Sequence, residues 1–305
     1  MSFTRRNILF FALGICALSA IADASAQVRV DLSLRRPYFI RYEPIIATVT
    51  ITNMTGRNLD LANAEEDNHK WFSFHIENTS GELIPPYNPD YQLSPVSIGA
   101  GESIKRTVNI TPLYPLTEFG TYRVRATVYD SKTGQYYSSN PPINIEITEG
   151  RVLWEQSVGV PEGAPGEPGT RTVTLLSHRL PDDTQLYLRI EDKDKGLVYC
   201  TSQLGRIVSF GKPDIEIDAH NEINILQNFA PKMFLYTRAA LNGQILERKQ
   251  YAGMDRSQPS LQHDASGGFQ VAGGLYIDPA AAAAQRAASP PPSVSARPVP
   301  LPKPE

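Results

Sequence analysis

Two short serine and lysine patterns raise the question of acyl chemistry. Ser209-Phe210-Gly211-Lys212 places a serine three residues before a lysine, and Lys132-Thr133-Gly134 forms a K-T-G run; together these are short marks of a serine nucleophile with a lysine partner. Their order along the chain is reversed, no S-D-N separates them, and Pro213 follows Lys212 where a helix should carry the nucleophile. Acyl transfer is therefore not expected, and "DSKTGQ" reads as a hairpin turn. Asp192-Lys193-Asp194-Lys195-Gly196 opens like a calcium loop, but its twelfth position is Gln203 rather than a bidentate glutamate, so it too reads as a turn. "AEEDNHKW" gathers Glu65, Glu66, Asp67 and His69 and is expected to be a solvated loop. His69, His75, His178, His220 and His263 are scattered, with no H-E-x-x-H and no closely spaced pair. The expectation is a protein with no metal, no cofactor and no enzymatic activity.

Aromatic side chains offer binding chemistry instead. The chain holds 14 tyrosines. Tyr87 and Tyr91 lie in the proline-rich "PPYNPDY", and Tyr136 and Tyr137 lie beside a turn in "GQYYSSNPP". Exposed aromatic loops on a rigid scaffold are a common way to engage sugars or peptides. These four are the candidate ligand-binding residues, with an envelope protein or polysaccharide as the expected partner. The competing reading is that the loops pack on the ends of the scaffold.

The elements that must position them are β-strands. In "EPIIATVTITN", Ile45, Ala47, Val49 and Ile51 alternate with Ile46, Thr48, Thr50 and Thr52, the period of a strand with one buried face. "WFSFHIEN" alternates Phe72, Phe74 and Ile76, "IGAGESIKRTVNI" carries Ile104, Val108 and Ile110, and a last strand carries Ile143, Ile145 and Ile147. In "EFGTYRVRATVYD", Tyr122, Val124, Ala126 and Val128 share one face, and Arg123, Arg125 and Thr127 share the other. Tyr122 and the two arginines cannot form one pocket. Roughly seven short strands with no helical period argue for an antiparallel sandwich over residues 27–150.

Gly120 and Tyr122, at the entry to a late strand, resemble the tyrosine corner of immunoglobulin-like sandwiches. With "YEPIIATVTITNMTGRNL", "WFSFHIENTSGELI" and "GAGES", they make about 120 of the 305 residues resemble secreted bacterial immunoglobulin-like or fibronectin-like modules, including the protease-inhibitor-like type. That resemblance implies the fold, and it also implies an alternative role as an inhibitor of extracellular proteases. Tyr122, Trp71 and Trp154 are read as structural.

Residues 151–253 read as a second β-rich domain, a small sandwich or an open barrel. Its strands are "TRTVTLLSHRL", "TQLYLRIED", "GLVYCTSQL", "GRIVSF", "DIEIDA", "EINILQN", "KMFLYTRAAL" and "QILERKQY". Asn242-Gly243 is a strong hairpin signal. From Met254 to Glu305 the chain turns polar, then alanine-rich, then proline-rich, and a disordered tail is expected.

Residues 1–26 read as a secretory signal: Arg5 and Arg6, the apolar "ILFFALGICALSAIA", and "ASA" before a cleavage near Ala26-Gln27. The apolar run is too short and wrongly flanked for a membrane span, so none is expected in the mature protein, which is placed in the periplasm or outside the cell. Cleavage removes Cys16 and leaves Cys200, expected to be a buried packing residue, so no disulfide within one chain holds the fold. The mature chain has 27 basic and 31 acidic residues, a net charge of -4, which offers no footprint for nucleic acid. The expected whole is an all-β, exported, non-catalytic binding or structural module of the cell envelope. The alternative of another class is a hydrolase with a cryptic site in the second domain.

Overall fold

The alternation in "EPIIATVTITN" is realised residue by residue: Ile45, Ala47, Val49 and Ile51 are buried, and the threonines between them face outward. In the computed structural model, residues 28–64, 69–160, 168–208 and 212–278 are described, and every regular element among them is a strand. Residues 1–27 and 279–305 lie outside the described residues. The chain divides into two units between Thr148 and Glu149.

The N-terminal unit contains β1 (Val28–Leu34), β2 (Tyr38–Ile40), β3 (Ile46–Asn53), β4 (Leu59–Leu61), β5 (Phe72–Glu77), β6 (Val96–Ile98), β7 (Ser103–Asn109), β8 (Gly120–Asp130), β9 (Gln135–Ser138) and β10 (Ile143–Thr148). One sheet runs β1-β3-β7 and the other β2-β10-β8-β5, with β9 added to the end of β8 and a β4-β6 ribbon alongside. The strands beyond those legible in the sequence include the three-residue β2, β4 and β6, too short to show a period. Inward residues of both sheets form one core around Trp71, Ile76, Val124 and Ile145. This is a sandwich, with β2 joined in parallel to β10 and the other strand pairs antiparallel.

Two tyrosines pin its edges. Tyr122 is buried and its hydroxyl donates to the Glu118 carbonyl at 2.9 Å. Arg123 is exposed on the opposite face and pairs with Glu77 at 2.8 Å. Tyr122→Phe should cost about 1 kcal/mol of unfolding free energy in urea titration, the scale of one buried hydrogen bond; an unchanged midpoint would leave the hydroxyl without a structural role. Tyr114 does the same for the edge strand β5: its hydroxyl accepts from the Phe74 N–H at 3.1 Å and donates to the Phe74 carbonyl at 2.9 Å. Asn53, one of three glycosylation-like sequons, is fully buried; its amide contacts the Arg57, Ile98 and Gly99 carbonyls, so it serves as a turn organiser.

The C-terminal unit contains β11 (Arg151–Val160), β12 (Gly169–Arg179), β13 (Thr184–Asp192), β14 (Leu197–Arg206), β15 (Asp214–Ile217), β16 (Glu222–Ala230), β17 (Met233–Ala240), β18 (Ile245–Ala252), β19 (Ser260–His263), β20 (Phe269–Ala272) and β21 (Leu275–Ile277). Two meanders, β11-β12-β13-β14 and β15-β16-β17-β18-β21, contribute to one core through Val173, Leu175, Leu188, Leu204, Ile215 and Ile225. The open-barrel alternative gives way to two separate sheets. Trp154 packs half-buried against this core, as does Cys200, whose thiol is pushed up by burial and so disfavours the reactive thiolate. "GRIVSF" is strand only through Arg206; Ile207 and Val208 leave the sheet as the Val208 N–H turns to the Asn228 carbonyl.

The disordered tail expected from Met254 is corrected over residues 254–278. β19 and β20 form a hairpin closed by Asp264, whose Oδ1 accepts from the Ser266 and Gly268 N–H groups, and β21 adds an edge strand to β18. The hairpin holds little apolar surface of its own. It docks beside β16, with the Ala219 N–H donating to the Gly267 carbonyl, so it shares burial with a sheet already built.

Candidate functional site

The loops joining β4 to β5 and β5 to β6 meet at one end of the N-terminal sandwich. There they form a cleft of about 580 Å³ lined by Asn63, His69, Lys70, Gln92, Leu93 and their neighbours. Its size is that of a small-ligand site. Glu65, Glu66 and Asp67 lie outside the described residues.

The cleft is held by the core below it. Trp71 directly precedes β5 and is fully buried; its N–H donates to Asn63 Oδ1 at 3.1 Å and its indole Nε1–H donates to the Leu93 carbonyl at 3.0 Å. Asn63 Nδ2 then donates to Gln92 Oε1 at 2.6 Å, and Lys70 Nζ to the Tyr91 carbonyl at 2.9 Å. The loop carrying Tyr91 and Gln92 is thereby tied to the strand entry at two side chains.

Beside the cleft, His69 joins an aromatic cluster. The His69 ring lies edge-on to Tyr129 at 4.9 Å, and Tyr129 lies 4.6 Å from Tyr136. The Tyr136 hydroxyl and His69 Nδ1 are hydrogen-bonded at 3.1 Å. Tyr129 is buried, whereas Tyr136 is 56% exposed, so the cluster presents an open ring held from behind. Such a face packs on the C–H surface of a sugar ring, while neighbouring amide and ammonium groups satisfy its hydroxyls.

The four sequence candidates separate. Tyr136 stands in the aromatic cluster beside the cleft, joined to it through His69. Tyr91 lines a narrow apolar groove with Phe72, Phe74, Leu113 and Tyr114, next to the cleft through Lys70, and burial pushes its phenol up. Tyr87 is 60% exposed while its N–H is fixed to the Leu113 carbonyl. Tyr137 turns inward onto the core, because neighbours on a strand point to opposite faces. Sequence reasoning missed Asn63, Lys70, Gln92 and Tyr129 and placed His69 only in an acidic loop. The available signal was "NHKW", where a histidine and a lysine directly precede the buried tryptophan at a strand entry.

The other motifs resolve into turns and ion pairs. Lys132-Thr133-Gly134 closes the β8–β9 hairpin, with the Gly134 N–H donating to the Asp130 carbonyl. Ser209 lies outside the described residues. Asp192 is buried and paired with Arg171 at 3.3 Å, and Arg171 lies over the Tyr199 ring at 4.0 Å. No group of three or more His, Cys, Asp or Glu side chains among the described residues is placed to hold a metal ion. His178 packs on Tyr187; His220 lies 4.0 Å from Asp218, whose carboxylate accepts from the His220 and Glu222 N–H groups and from Asn224. Among the described residues no helix is long and apolar enough to cross a membrane.

No family model matches the sequence, and no curated protein does. Among solved structures, the sporulation control protein Spo0M from Bacillus subtilis is similar at 11% identity over 56% of this chain and 82% of that one, with a TM-score of 0.27. A likeness of that size carries no argument about fold or role.

Proposed function

We propose that the chain is an exported, non-catalytic binding protein of the cell envelope, and that the loop end of its N-terminal sandwich takes a saccharide. One observation carries the reading: an exposed tyrosine ring, braced by Tyr129 and His69, beside a cleft lined by His69, Asn63, Lys70 and Gln92. Aromatic faces with convergent amides suit a ligand whose surface alternates C–H patches and hydroxyls. The role of the groups around His178 and His220 is structural in this reading, and the apolar signal-like residues 1–26 support export. An immunoglobulin-like scaffold suits the same role, because it holds variable loops at the end of a rigid sandwich.

The test is capture of the mature chain on insoluble envelope polysaccharide and on glycan arrays. Tyr136→Ala removes an exposed ring, so we expect about a tenfold or greater loss of capture, the scale of one stacked aromatic contact, with an unfolding midpoint close to that of the parent. Undiminished capture by the variant would remove the ring from the site. An equal loss of stability would make it a packing residue.

A further inference from the structure

The C-terminal unit has a second cleft that the reading above does not use. It lies at the end of the sandwich where the β12–β13 turn, the exit of β14 and the β16–β17 turn meet, and its volume is about 520 Å³. Leu180, Ile207, Val208 and Pro231 give it an apolar floor. Arg179 and Arg206 stand on its rim, both exposed, and neither makes an ion pair among the described residues.

The polar groups have a definite pattern. Asn228 lines the cleft, and its Oδ1 is buried and without a donor among the described residues. Asp183 is taken by the Gln185 amide at 2.6 Å, whereas Asp182 is exposed with its carboxylate open as an acceptor. Two exposed guanidinium groups on one rim call for a carboxylate, and guanidinium forks bind that group in bidentate geometry. The free Asp182 acceptor calls for an N–H beside it, and the floor calls for an apolar side chain.

We propose that this cleft binds the C-terminal end of a peptide or protein chain whose last residue is apolar. A chain terminus supplies the carboxylate, the backbone N–H and the side chain together. A fatty acid supplies the first and last only, and leaves Asp182 facing a hydrocarbon.

Bead-displayed pentapeptides with free C-termini, carrying each of the twenty residues at the last position, test this with the mature full-length chain. Capture should favour Val, Leu, Ile and Phe at the end. In fluorescence anisotropy with a labelled Leu-ended peptide, amidation of the terminal carboxylate, Arg179→Ala and Arg206→Ala should each weaken binding by about tenfold or more. Tyr136→Ala should leave that affinity unchanged, which separates this site from the saccharide site, and excess dodecanoate should not compete. No capture, capture indifferent to the last residue, equal binding of the amidated peptide, or displacement by dodecanoate would overturn the proposal.

Discussion

Replacing Trp71 by alanine is expected to lower the unfolding free energy by about 3–5 kcal/mol, the cost of emptying a fully buried aromatic site. The side chain is 0% exposed and its ring lies 5.7 Å from Phe72. Trp71→Phe is the more informative variant. It keeps an aromatic ring in the core but strands the Leu93 carbonyl, which now accepts from the indole Nε1–H. Losing this part-buried hydrogen bond costs about 1 kcal/mol. Because Leu93 lines the 580 Å³ cleft, the phenylalanine variant should also weaken saccharide capture while the fold persists. Urea denaturation followed by circular dichroism reads the first effect and glycan capture the second. Loss of stability with full capture would show that the indole packs the core without shaping the cleft.

Gly243→Ala is expected to cost on the order of 3 kcal/mol, from backbone strain and overpacking together. Gly243 closes the β17–β18 hairpin with φ of +87°, and a Cβ there would lie 2.4 Å from Cys200 Sγ and 2.6 Å from Cys200 Cβ. The sulfur can rotate aside, but the Cβ is fixed to the backbone of β14. Gly134 is the control: it also has positive φ, at +69°, yet nothing lies within 4 Å of its added Cβ. Gly134→Ala should therefore cost only the backbone component, about 1 kcal/mol. Equal losses at the two positions, measured by thermal unfolding, would show that the Cys200 contact relaxes freely. In the double variant with Cys200→Gly, the two losses should be less than additive.

How far the fold could be read from sequence depended on which strands carry their own burial. β3, β5 and β8 alternate cleanly because one face meets a core and the other meets solvent, and they were legible. The hairpins at Gly196 and Gly243 were legible because a left-handed residue is nearly a glycine signature. β19, β20 and β21 were not. Their sequence is polar and glycine-rich, and their order comes from docking on β16 and pairing with β18, which composition does not record. The edge strand β11 also lacked a clean pattern, since most of its residues are exposed or only half-buried and its register shifts at the bulge between Val152 and Trp154.

The site divides in the same way. Tyr136 could be picked out because two adjacent tyrosines beside a turn must place one ring outward. Which of the two faced out depended on the β8–β9 register, where Tyr136 pairs with Tyr129 and Tyr137 with Val128. Asn63 and Lys70 come from the β4–β5 loop and Gln92 from the β5–β6 loop beyond the whole of β5, and the hydrogen bonds from Trp71 and Asn63 bring them together. No local pattern encodes that meeting.

The most direct test of the account is a nitrogen-15 NMR titration of the mature chain with a soluble oligosaccharide taken from the glycan captured best. The account predicts saturable shifts confined to the amides of residues 62–64, 69–71, 92–94, 129 and 136, and their loss in Tyr136→Ala. Shifts that map to another face, or that persist unchanged in the variant, would contradict it.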